Sequence, residues 1–140
     1  MGAYLKAVKN HVFNYTCLEI NKTRIEGGLK YFSDLNLEGT FLEGDVNEPL
    51  PFPGNRFDVA YLLGWCDPYY DCDELFSEIW RVLKPNGKFL FNMAKKGHYK
   101  TCMKRGELLN LLNRQKFKVI SLKTITDVDY GVIAKKEMVK

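Results

Sequence analysis

Glu19, Asp45 and the pair Gly64–Trp65 each close a run of residues with strand character. Their types suit the holding of a nucleoside. A carboxylate such as Glu19 can accept hydrogen bonds from both hydroxyls of a ribose, because it offers several lone pairs and no donor. A second acid, Asp45, beside a backbone amide matches the amino edge of adenine. Trp65, after Gly64, can supply a flat apolar wall. Any one acid at a strand end is more often a solvated cap, so the ordered set of three carries the reading. No residue is singled out as catalytic.

The elements that must position these residues follow from pattern and punctuation. "AYLKAVKN" (3–10) has Leu5 and Val8 at helical spacing, and "YTCLEI" (15–20) is β-rich. "NKTRIEGGLKYFSDL" reads as a helix opened by Asn21, with Gly27–Gly28 marking close packing. "GTFLEGDV" (39–46) reads as a short strand. The bridge "NEPLPFPGN" holds three prolines, which remove donors and fix φ, so it is neither helix nor central strand. It would hold Asp45 and the entrance of the next strand in place. "RFDVAYLLGW" is a continuous apolar run, as in a strand covered on both faces.

Asp71 to Lys84 carries the clearest helical stripe, Leu75, Phe76, Ile79, Val82 and Leu83, and "PNG" (85–87) stops it. "KFLFNMA" is a further buried strand. A basic loop, "KKGHYKTCMKR", leads to the helix "GELLNLLNRQK". "FKVISLKTIT" and "YGVIAKKE" read as a closing antiparallel pair. Alternating strand and helix implies βαβ units, so the expected fold is a doubly wound, Rossmann-like α/β domain over residues 1–140. Its sheet is mostly parallel with an antiparallel edge. Ligands of such sheets bind outside the carboxyl ends of the strands, where Glu19, Asp45 and Trp65 fall.

Composition agrees with a single folded domain: 140 residues, 46% hydrophobic and 14% aromatic. A net charge of +4 is too mild to argue for nucleic acid. Cys17, Cys66, Cys72 and Cys102 form no CxxC pair and have no histidines at zinc spacing, so they read as reduced thiols and no metal is expected. No apolar run approaches a membrane span, and "MGAYLK" lacks the plan of a signal peptide. The expectation is a cytoplasmic protein with no membrane and no nucleic-acid partner.

The stretch "LEGDVNEPLPFPGNRFDVAYLLGW…ELFSEIWRVLKPNGKFLF" resembles class I S-adenosylmethionine-dependent methyltransferases of the type 11 group. That group has a strand ending in Gly-Asp, a segment like "lPFpdnsFDvv", and a helix ending "RvLKPgG" before the next strand. The resemblance implies S-adenosylmethionine as cofactor and a methyl acceptor of unknown class as substrate. It matches Glu19 to the ribose-binding acid and Asp45 to the acid that contacts the adenine amino group, with Val46 near the ring. Gly64 and Trp65 match the segment that lines the cofactor.

The resemblance is incomplete at the front. The group opens with a strand and a glycine loop, of which only Gly2 is matched here; Glu19 follows it seventeen positions on. The chain therefore reads as lacking the group's first strand and most of its glycine loop. The flanking strands are then expected to pair directly, or a second chain or a homodimer to complete the sheet. A non-catalytic module that binds a partner chain is the alternative from another class. A second alternative is an amino-methyltransferase using "DPYY" (67–70). His98 and Tyr99 follow the strand 88–94, near where acceptors bind in the group.

Overall fold

The computed structural model describes residues 14–65, 71–94, 103–127 and 129–138. The chain divides into two compact units, Met1–Glu48 and Pro49–Lys140.

The first unit is a strand, a helix and a strand: β1 (Tyr15–Glu19), α1 (Lys22–Asp34) and β2 (Gly39–Glu43). The two strands pair in parallel, in register from Tyr15 opposite Gly39 to Glu19 opposite Glu43. Asn21 caps α1 as expected, its side chain accepting from the Arg24 amide at 3.2 Å. Of the two glycines inside α1, only Gly28 is required by packing. A Cβ there would lie 2.5 Å from the Phe41 ring, whereas one at Gly27 would meet nothing. The helix seats Phe32 against Tyr15 and Phe41, with ring centroids 4.8 and 5.1 Å away. The expected strand 39–46 ends sooner, at Glu43. Gly44 and Asp45 leave the ladder because a turn begins there, closed by the Glu48 amide donating to the Asp45 carbonyl at 3.2 Å.

The second unit contains β3 (Phe57–Trp65), α2 (Cys72–Val82), β4 (Leu83–Ala94), α3 (Arg105–Arg114), β5 (Phe117–Thr124) and β6 (Asp129–Lys136). Its sheet runs β3-β4-β6-β5, with β3 and β4 parallel and the other two pairings antiparallel. The closing antiparallel pair is thus present, and the whole is α/β. Asp71 caps α2 by accepting from the amides of Asp73 and Glu74. The helix ends at Val82, two residues before the expected Lys84, because Leu83 is already extended (ψ 140°). Pro85 disfavours the helical region for the residue before it, so the chain leaves α2 early. Asn86 (φ 65°) makes the turn, and β4 resumes its ladder at Lys88.

The core of this unit is dry. Phe76 on α2 meets Phe89 and Phe91 of β4 edge-on, and Phe89 in turn meets Phe117 of β5. Leu108, Leu111 and Leu112 bury the inner face of α3. Lys136 at the end of β6 is also buried. Its ammonium donates to the Leu83 carbonyl (2.7 Å) and the Asn55 side-chain oxygen (2.9 Å), and lies 3.9 Å from the Trp80 ring centroid.

Of the alternatives expected at the front of the sheet, direct pairing of the flanking strands is not seen among the described ladders. The described strands form two hydrogen-bonded sheets, β1-β2 and β3-β4-β6-β5. Among the described residues, no helix is long and apolar enough to cross a membrane.

Candidate functional site

The carboxyl end of the β1-β2 sheet brings Glu19 and Asp45 to one edge. The Gly44 amide donates to the Glu19 carbonyl at 3.1 Å, extending the ladder by one step, and Asp45 follows directly. Gly44 permits this close crossing: a Cβ there would lie 2.7 Å from Leu18 Cδ1. Asp45 then folds into a turn in which its Oδ1 accepts from the Asn47 amide (2.9 Å) and Asn47 Nδ2 (3.0 Å). Its other oxygen, Oδ2, takes no hydrogen bond from the described residues. Val46 lies in the same turn, half-buried.

Glu19 is held from two sides. Its Oε1 accepts from the Asn21 amide at 3.0 Å, and its Oε2 lies 3.7 Å from Arg24 Nη1. A carboxylate has about four lone-pair positions, so roughly two remain, the number a ribose diol needs. Oδ2 of Asp45 likewise keeps its acceptor capacity for an amino group. Two anchored acceptor groups with open lone pairs thus stand at one strand edge.

Sequence reasoning missed Glu43. It stands opposite Glu19 in the ladder and pairs with Lys22 at 3.6 Å. The signal was its place at the end of "GTFLE", on the same strand-end rule that selected Glu19.

Gly64 and Trp65 belong to the second unit, at the carboxyl end of β3. The β3-β4 register shifts between Leu62 and Trp65, and Trp65 pairs with Met93. Gly2, the "DPYY" segment, His98 and Tyr99 lie outside the described residues.

The stiff bridge has an anchor that the sequence did not announce. Arg81 on α2 donates from Nη1 to the Phe52 carbonyl (2.7 Å) and from Nη2 to the Leu50 carbonyl (3.1 Å). Glu78, one turn earlier, accepts from the Leu50 amide (2.8 Å) and from Arg81 Nε (2.6 Å) and Nη2 (2.7 Å). Those Arg81 hydrogen bonds hold the Glu78 carboxyl below its ordinary range, and the Leu50 amide adds to the effect against the cost of partial burial. The acid–base pair at i, i+3 is visible in "SEIWR", but nothing local ties it to the bridge.

The two described cysteines, Cys17 and Cys72, are reduced thiols. Burial, and then the charges of Asp71 and Asp73, push Cys72 up to about 11, so it stays protonated near neutral pH. Burial raises Cys17 as well. Neither is primed as a nucleophile.

A family model described as a methyltransferase domain matches residues 1–91. The chain belongs to that methyltransferase family. Relatives of this chain include a ubiquinone/menaquinone biosynthesis C-methyltransferase from Psychromonas ingrahamii, 33% identical over 76 residues, which cover 54% of this chain and 30% of the relative. A fatty-acid O-methyltransferase from Mycolicibacterium smegmatis is 33% identical over 81 residues, covering 58% of this chain and 28% of that one. A sterol 4-C-methyltransferase from Caenorhabditis elegans is 36% identical over 63 residues, covering 39% and 19%. The chain thus spans less than a third of the length of each.

Among solved structures, a SAM-dependent methyltransferase from Aquifex aeolicus superposes with a TM-score of 0.77 at 17% identity, covering 96% of this chain and 77% of the other. The [4+2]-cyclase SpnF superposes with a TM-score of 0.79 at 14% identity, covering 97% and 70%. These likenesses concern the fold alone. A cyclase and a methyltransferase share it, so activity must be argued from the site.

Proposed function

We propose that this methyltransferase-family chain binds S-adenosylmethionine and takes part in methyl transfer to an acceptor. The observation that carries the reading is the pair of anchored carboxylates, Glu19 and Asp45, at one carboxyl edge of the β1-β2 sheet. Glu19 accepts from the ribose hydroxyls, and Asp45 accepts from the adenine amino group beside Val46. By resemblance, Gly2, Gly64 and Trp65 are assigned to the same cofactor.

When bound, the sulfonium supplies an electrophilic methyl group, and the transfer needs mainly in-line alignment of the acceptor. The residues of this chain contribute binding and orientation, and no side chain is assigned as general base. The relatives' names refer to ubiquinone/menaquinone biosynthesis, a fatty acid and a sterol, which supports an apolar acceptor.

Calorimetric titration with S-adenosylhomocysteine tests the reading. Saturable binding is expected, weakened about tenfold or more by Glu19→Ala and by Asp45→Ala. Hydrogen bonds to charged groups are worth about 1.5–3 kcal/mol, and about 1.4 kcal/mol is a factor of ten. No binding at millimolar ligand, or wild-type affinity in both variants, overturns it.

A further inference from the structure

We infer that Arg24 is a positioning residue for the ribose-binding carboxylate, acting by shielding Glu19 from Glu43. The inference rests on the adenosine reading above and adds a residue to that site. Parallel partners in a ladder leave the sheet on the same face from strands about 4.8 Å apart, and Glu19 and Glu43 are such partners. Like charges directly opposite repel. Left alone, the pair would drive Glu19 away from its neighbour and off the Asn21 amide.

The first turn of α1 answers this with two cations and no acid. Lys22 takes Glu43 at 3.6 Å and Arg24 takes Glu19 at 3.7 Å. Cations at a helix N-terminus run against the helix dipole, so local helix stability does not account for them. Their placement is accounted for by the acids: each strand-end carboxylate has its own base. Glu19 is 22% exposed and Arg24 74%. The guanidinium is thus largely exposed while the Glu19 carboxylate beside it is mostly covered. Asn21 fixes one oxygen by a backbone amide, which no substitution of its side chain removes, and Arg24 fixes the other. Asp45, engaged with Asn47, is the third acid of this edge and lacks a base of its own among the described residues.

The experiment is calorimetric titration of S-adenosylhomocysteine into the wild-type chain and Glu19→Ala, Arg24→Ala, Arg24→Lys and Arg24→Ala/Glu43→Gln, each checked for an unchanged thermal transition. Arg24→Ala is expected to weaken binding about two- to fivefold, the range of an exposed ion pair. Arg24→Lys should restore most of the loss. Adding Glu43→Gln to Arg24→Ala should also recover affinity, because it removes the repulsion that Arg24 offsets. A purely structural role for Arg24 would not be rescued by a change on another strand. If Glu19→Ala weakens binding but Arg24→Ala does not, or if Glu43→Gln brings no recovery, the inference is overturned while the adenosine reading stands. If Glu19→Ala binds like wild type, or the wild type does not bind, the adenosine reading itself has failed and takes this one with it.

Discussion

The two units of this chain are built to different standards. In the second, Phe76, Leu83, Leu108 and Leu112 are completely shielded, and three faced phenylalanines tie α2 to β4. In the first, Phe32 is the one described side chain that is fully buried, and every residue of β1 is only half-covered. Yet the first unit carries the anchored carboxylates. Under the proposed function, stability and recognition fall to different stretches of the sequence. A strand edge that must keep acceptor lone pairs open to a ligand cannot also bury them.

Substitutions in the two aromatic clusters would sharpen that contrast, and the larger effect belongs to the second unit. Phe76→Ala removes a fully buried ring with two edge-on partners, and a loss of about 3–5 kcal/mol is expected. Against a typical net stability of about 5–15 kcal/mol, that brings urea unfolding close to native conditions. Phe32→Ala should cost less, about 2–3 kcal/mol, because its neighbours Tyr15 and Phe41 are already partly hydrated. Its diagnostic is amide exchange: protection should fall along β1, α1 and β2 and persist along β4 and β6. Equal loss in both sheets would break the comparison, since the two units would then unfold as one.

Much of this was readable from local chemistry. Asn21 and Asp71 announced their helices as caps, and the alternation of strand and helix gave the α/β class. The strand-end rule placed Glu19 and Asp45 on one edge before any coordinates. Boundaries were less legible where two tendencies compete. Val46 favours extended structure, but the Asp45–Asn47 turn wins and ends β2 early. Leu83 extends the apolar stripe of α2, but Pro85 forces the chain out of the helix. Ladder partners were not legible at all, because period-two patterning states which face is covered and not which strand lies beside it. The grip of Glu78 and Arg81 on Leu50 and Phe52 spans about thirty residues of sequence, and only the fold brings them together.

The smallest effect expected concerns a surface tie within the second unit. Asp73, in the first turn of α2, accepts two hydrogen bonds from Arg114 Nη2 (2.7 and 2.8 Å) and one from Gln115 Nε2 (2.9 Å). Arg114, and then Gln115, hold its carboxyl below the ordinary value near 3.8. A carboxyl lowered on folding stabilises the native state above its unfolded pKa, and that contribution fades as pH falls through the folded value. Asp73→Asn should therefore lower the melting temperature at pH 7 by an amount equivalent to less than about 1 kcal/mol, as befits a half-exposed pair. The difference from wild type should shrink as the pH drops below about 4 and shrink again in high salt. A difference that persists unchanged at acidic pH would mean that the asparagine disturbs the α2 cap itself. The tie between α2 and α3 would then owe nothing measurable to charge.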